Sequence, residues 1–166
     1  MTGGTWVKDS YIGVTGKSNS KGNGTFSVGG NTNDAYMTYR GIENFFGNIW
    51  KWVDGINVNA NVPYVSNTDT DFADDTATDY TSLGITLGAV NGYQMTLEQQ
   101  GRGFLPASIG GASNTYITDY YYQAAGWRVA ALGGHAYRGL DAGVACWYLY
   151  YAAAGGSVSI GGRLCF

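Results

Sequence analysis

"ENFFGNIWKWVDGINV", residues 43–58, is the stretch on which the fold turns. It lies in the most apolar and aromatic block of the chain, residues 33–60. Ile49, Trp50 and Trp52 stand around Lys51 as side chains of an extended segment would, and Asp54-Gly55 is a strong short-range hairpin signal. The pattern predicts strand, turn, strand. Working outward, "TWV", "YIGV" and "TFSV" upstream are separated by Gly, Asn and Ser clusters and read as short strands or irregular pieces joined by turns. Downstream, Trp127, Val129 and Ala131 alternate as a strand would until Gly133-Gly134 stops them. Between these lie "SNTDTDFADDTATDYTS", residues 66–82, with five Asp and no Lys or Arg, and "QQGRGFLPASIGGASNTYITDYYYQ", which reads as a loop carrying Pro106 and a Gly pair before an aromatic run. No segment repeats at a fixed period, which excludes solenoids and propellers.

Composition narrows the class. Gly supplies 27 of 166 residues, more than twice the roughly 7% of ordinary usage, and charged residues are sparse. With 45% hydrophobic and 15% aromatic residues, the chain carries more apolar surface than a disordered one. The length suits one domain over residues 1–166, large enough for a core without metals or disulfides. A formal charge of -3 gives no electrostatic basis for binding nucleic acid. The tract "GVACWYLYYAAAGGSVSIGG" is broken by Gly, Ser and Tyr, so it does not read as a membrane span. "MTGGTWVKDSYIGVTG" does not resemble a signal peptide, and the compartment stays open.

Most familiar chemistry lacks its residues. His135 is the single histidine, so a His-centred metal site or a Ser-His-Asp triad has little to draw on. The glycine runs "GKSNSKGNG" and "SIGGASN" lack the order of a phosphate-binding loop. Neither a catalytic residue nor a cofactor is expected. The Asp run suits a solvated loop; calcium is an alternative because Asp oxygens fit that ion, although the EF-hand spacing is absent. Cys146 and Cys165 could pair or remain free.

Two stretches together resemble a known family. "ENFFGNIWKWVDG" is similar to the "GNVWEW" motif of the formylglycine-generating-enzyme subtype of the C-type lectin fold. The end, "WRVAALGGHAYRGLDAGVACWYLYYAAAGGSVSIGGRLCF", resembles the closing half of that fold in variable proteins of diversity-generating retroelements, which include phage tropism determinants. The resemblance implies an α+β, loop-rich, C-type lectin-like domain with short antiparallel strands, forming the C-terminal part of a longer protein. It also implies a ligand-binding role without catalysis, on a phage tail or a bacterial cell surface. The partner would be a cell-surface protein or glycan of a host bacterium, with no nucleic acid, no membrane insertion, and oligomerisation possible through the parent protein.

In that family adenine-directed errors randomise chosen codons, here across about residues 135–159. Varied AAY codons never yield Trp, Met, Lys, Gln or Glu. Residues 135–159 contain no Met, Lys, Gln or Glu, whereas the remainder contains 13, so about two would be expected there from composition. By the carry-over, the varied, ligand-binding positions are His135, Tyr137, Arg138, Leu140, Asp141, Ala145, Tyr148, Tyr150, Tyr151, Gly155 and Val158. The scaffold positions are Trp50, Trp52, Trp147, Leu149, Ile160 and Arg163, together with Gly133, Gly134, Gly139, Ala142, Gly143 and Gly161. Tyr148 and Tyr150 would share one open face while Leu149 enters the core. Replacing Tyr148, Tyr150 and Tyr151 together by Ser is then expected to cost little stability. The chain departs from the family where Ala145 replaces a common aromatic and where "GGRLCF" closes the chain.

Three rivals remain. An oxidoreductase of the formylglycine-generating type would need reactive Cys146 and Cys165. A calcium-dependent sugar-binding lectin would use Asp69, Asp71, Asp74, Asp75 or Asp79. A structural tail component would bury its tyrosines in a subunit contact.

Overall fold

A computed structural model describes residues 24–28, 31–36, 38–39, 42–43, 45–101, 103–115, 117–135, 138 and 141–162, with backbone alone before residue 45. Among the described residues thirteen strands run in order: β1 Gly24–Val28, β2 Asn31–Tyr36, β3 Thr38–Tyr39, β4 Ile42–Glu43, β5 Trp50–Asn59, β6 Val62–Val65, β7 Thr81–Ser82, β8 Gly92–Gln100, β9 Gly103–Gly111, β10 Ile117–Gln123, β11 Trp127–Leu132, β12 Trp147–Leu149 and β13 Ile160–Gly161. A 3-10 turn, Asp69–Asp71, lies among them. The chain is nearly all β, with 46% strand and 4% helix, and its main sheet curls into a half-barrel. This overturns the α+β, C-type lectin-like class that the resemblance implies. Among the described residues there is no α-helix to form the second layer of such a fold. The glycine frequency and the scarcity of unbroken 3.6-residue periodicity are the physical reason.

The main sheet has the order β7-β6-β5-β11-β12-β10-β8-β9, with β13 added alongside β5. Strand β5 corrects the reading of the deciding stretch. Asp54-Gly55 does not reverse the chain. Val129 pairs with Asn57 and Ala130 with Val53, so residues 54–56 form a bulge within a single strand. Gly55 takes φ 76° there, and a Cβ would meet the Phe72 ring and the Ser66 carbonyl at 2.8 Å. The actual reversal comes at Ala60-Asn61, both with positive φ, which is the type I′ geometry of a two-residue hairpin. The loop expected around Pro106 is strand β9, an edge strand, where a missing N–H is tolerated.

Side-chain alternation splits the core between two sheet faces. Trp147 and Leu149 join Ile56, Val58, Leu105, Tyr121 and Ala130 in one cluster. Cys146 and Tyr148 join Trp50 and Ala131 in the other. The period of two holds along β10 and β11 as well: Tyr121 and Ala130 lie on the first face, Tyr120, Tyr122 and Ala131 on the second, as a pleated backbone requires.

Candidate functional site

The second face of the sheet carries a continuous band of aromatic rings. From β8 to β10, Tyr93 and Tyr120 lie 5.0 Å apart and Tyr120 and Tyr122 4.5 Å apart, centroid to centroid. Tyr122 then meets Tyr148 of β12 at 5.2 Å, and Tyr148 meets Trp50 of β5 at 4.7 Å. Tyr150 and Tyr151 border Tyr148 at 5.7 and 5.3 Å, and Tyr151 reaches Trp52 at 6.3 Å. Such tilted pairs each add about 0.5–1.5 kcal/mol beyond burial, so the rings hold one another in place.

Two charged side chains sit on this band. The Arg138 guanidinium lies 4.5 Å from the Tyr122 ring centroid, and its Nη1 donates to the Tyr122 hydroxyl at 2.8 Å. The Tyr122 hydroxyl donates to Asp141 Oδ2 at 3.4 Å, and the Tyr93 hydroxyl donates to Asp141 Oδ1 at 2.6 Å. That bond, with burial and the carboxylate's charge, pushes Tyr93 up to about 12. Burial also pushes Tyr122 upward, opposed by Arg138. The hydroxyls therefore stay protonated at neutral pH, offering donors and acceptors on an otherwise apolar surface.

Close-packed glycines flank the two charged positions in sequence. At Gly134 a Cβ would approach the Ala142 Cβ to 2.6 Å, and at Gly133 it would press on Phe46 at 3.3 Å. At Gly143 it would overlap the Asp119 carboxylate. Asp119 Oδ2 accepts from the Ala145 amide at 2.7 Å, and the fully buried Gln94 donates to the carbonyls of Asp119 and Ala145 at 3.0 and 2.6 Å. Burial raises the Asp119 carboxyl above the usual range, partly offset by the Ala145 amide.

Of the varied positions inferred from the resemblance, the structure brings His135, Arg138, Asp141, Tyr148, Tyr150 and Tyr151 to this face; His135 lies 6.0 Å from Trp50. Tyr137, Leu140, Gly139 and Arg163 lie outside the described residues. Val158 is fully exposed and Ala145 half-buried, neither with a ring contact to the band. Two positions correct the expectation. Tyr148 is only 9% exposed, because its neighbours in the band enclose it, so it does not share an open face with Tyr150, which is 55% exposed. Gly155 closes a tight turn, its amide bonded to the Ala152 carbonyl at 2.8 Å, and a Cβ would meet that carbonyl at 2.9 Å; side chains are poorly accommodated there. Among the scaffold positions Trp50, Trp147 and Leu149 are buried, while Trp52 and Ile160 are half-buried against the second core cluster. Sequence reasoning missed Tyr93, Tyr120, Tyr122, Asp119 and Gln94. The alternation of "DYYYQ" holds the signal for Tyr120 and Tyr122, but nothing in sequence brings β8 beside β10.

The calcium and oxidoreductase rivals find little support among the described residues, Cys165 lying outside them. Asp69, Asp74, Asp75 and Asp79 are exposed, Asp71 accepts from Ser66 Oγ, and among the described residues no three His, Cys, Asp or Glu converge to hold a metal. Cys146 is fully enclosed, and burial with the nearby Asp119 and Asp141 charges drives its thiol upward, the reverse of what a reactive thiolate requires. Comparison of the chain with known protein families, with characterised proteins and with solved structures finds no match to any of them.

Proposed function

We propose that the domain is a ligand-binding module whose recognition surface is the aromatic band with Arg138 and Asp141, bordered by a segment that a retroelement diversifies. The observation that carries this reading is a division of labour within residues 133–151. Positions matching constant family positions, Gly133, Gly134, Ala142 and Gly143, lie where a larger side chain collides with neighbouring groups. Positions matching varied ones, His135, Arg138, Asp141, Tyr150 and Tyr151, border one half-open face, with Tyr148 the exception, enclosed among them. A diversified binder needs that arrangement, a frame that tolerates no change around a surface that tolerates many.

The surface suits binding more than chemistry. Tyrosine offers a large apolar ring and one hydroxyl at low rotamer cost, which favours it in recognition surfaces. The partner is then a protein or glycan on a bacterial cell, met from a phage tail or another cell surface, and several copies on one particle raise avidity without new contacts. Sequencing the DNA that flanks the coding region tests this directly. A near-copy of the codons for residues 135–159, differing at adenines and adjoining a reverse transcriptase gene, is the expected result. A complete genome without such a copy removes the diversification, and loss of every binding partner on host cells removes the recognition role.

A further inference from the structure

Beyond the aromatic band, a cleft of about 450 Å³ opens between the β5 bulge and the Asp-rich segment. Trp52, Phe72 and Tyr80 contribute aromatic rings to its lining, and Asp54 and Asp74 contribute carboxylates. Among the described residues no Lys, Arg or His lines it, and the chain from residue 52 to residue 101 contains no basic residue. The walls are held from behind. The buried Asn57 donates through Nδ2 to the Ala73 and Thr76 carbonyls at 2.6 and 3.0 Å. The Tyr80 hydroxyl donates to the Ala73 carbonyl and accepts from the Ala73 amide, both at 3.1 Å. Gly55 leaves room for the Phe72 ring, which a Cβ would strike at 2.8 Å.

We infer that this cleft binds an organic ammonium group, of the quaternary or alkylated kind, between the rings and the two carboxylates. Aromatic faces attract a poorly hydrated cation through their quadrupoles, and the two carboxylates add attraction. A bare metal ion is disfavoured, because among the described residues no three acidic or metal-ligating groups converge and the rings offer it no lone pairs. The cleft also adjoins the recognition face, since Trp52 lines the cleft and meets Tyr151 of the band at 6.3 Å. A surface polymer bearing ammonium groups could thus be held at two neighbouring places, although the ammonium site stands independently of the diversified reading.

The test is titration of the whole domain with choline and with its neutral isostere 3,3-dimethylbutan-1-ol, followed by Trp fluorescence and by calorimetry. Choline is expected to bind in the millimolar range, with the isostere about tenfold weaker. Phe72→Ala and the Asp54→Asn, Asp74→Asn double variant should each weaken choline about five- to tenfold. The Asn substitutions lie on exposed positions, so an unchanged melting temperature verifies that the frame is intact. Val90→Ser, at an exposed position that lines neither the cleft nor the band, should leave choline affinity unchanged. Equal binding of choline and the isostere, no binding of choline at tens of millimolar, or full affinity in the Asp double variant would each overturn the inference. None of these outcomes depends on whether the band is diversified.

Discussion

Tyr148 and Tyr150 are two residues apart and have opposite fates. Tyr148 is wedged among Trp50, Tyr122, Tyr150 and Tyr151, whereas Tyr150 is more than half exposed. Tyr148→Ser should therefore cost about 3 kcal/mol, close to the loss from a large-to-small core change, while Tyr150→Ser should stay within about 0.5 kcal/mol. Trp147→Ala, in the other core cluster, should cost about 3–5 kcal/mol. Chemical denaturation of the three variants checks the ranking, and equal loss at Tyr148 and Tyr150 would refute the enclosure of Tyr148. The expectation that all three tyrosines can be replaced cheaply fails on this one residue. Tyr93 supplies a second residue-scale prediction. Its folded value is raised to about 12 above an unfolded value of about 10, so its contribution is complete below pH 10 and is lost as pH rises from 10 to 12. Asp141→Asn removes the main cause, and phenolate absorbance at alkaline pH should then show one tyrosine titrating earlier.

At the scale of elements, β5 works because it is bulged rather than turned. The bulge brings Gly55 to positive φ and lets the strand pair with β11 on both sides of it. Gly55→Ala combines a strained backbone with collision against Phe72 and the Ser66 carbonyl, so a loss of about 2 kcal/mol or more in thermal unfolding is expected. Asn57 joins this strand to the Asp-rich segment. Asn57→Ala leaves the Thr76 carbonyl without its Asn57 donor and the Ala73 carbonyl with the Tyr80 hydroxyl alone, at a cost of about 1–3 kcal/mol, and limited proteolysis should then cut within residues 69–80 faster than in the parent domain. Unchanged cleavage would mean that the segment is held by other contacts. In the loop after β11, Gly143→Ala forces the Asp119 carboxylate away from the Ala145 amide, and the destabilisation should be about 1–3 kcal/mol.

On the scale of the whole molecule, the half-barrel brings together segments that are far apart in the chain. β10 and β12 lie parallel, pairing Tyr121 with Trp147 and Tyr122 with Tyr148, and β8 then delivers Tyr93 to the same face. The band is thus a product of strand order. With few charges on it, the proposed binding through this face should depend weakly on ionic strength. A steep loss of the proposed host-cell binding between low and physiological salt would instead assign recognition to the acidic cleft or to another charged surface.

Much of the local structure is legible in the residues themselves. Alternation marks β11 and the two faces of β12, and paired glycines mark the end of β11, because a pleated strand repeats every two residues and few other side chains accept positive φ. Enclosure is not legible, since Tyr148 and Tyr150 are identical side chains and only their neighbours differ. Nor is the bulge, because Asp-Gly serves a turn and a bulge equally well and the choice falls to β11, about 70 residues downstream. The sequence by itself determined a glycine-rich, aromatic chain of short strands, one of them stopped by Gly133-Gly134. Only the tertiary structure decided that the chain forms a nearly all-β half-barrel, that six of its tyrosines join into one band, and that the Asp-rich segment walls a cleft. Each of these depends on which distant strands pair, and pairing is set by the burial of both faces together.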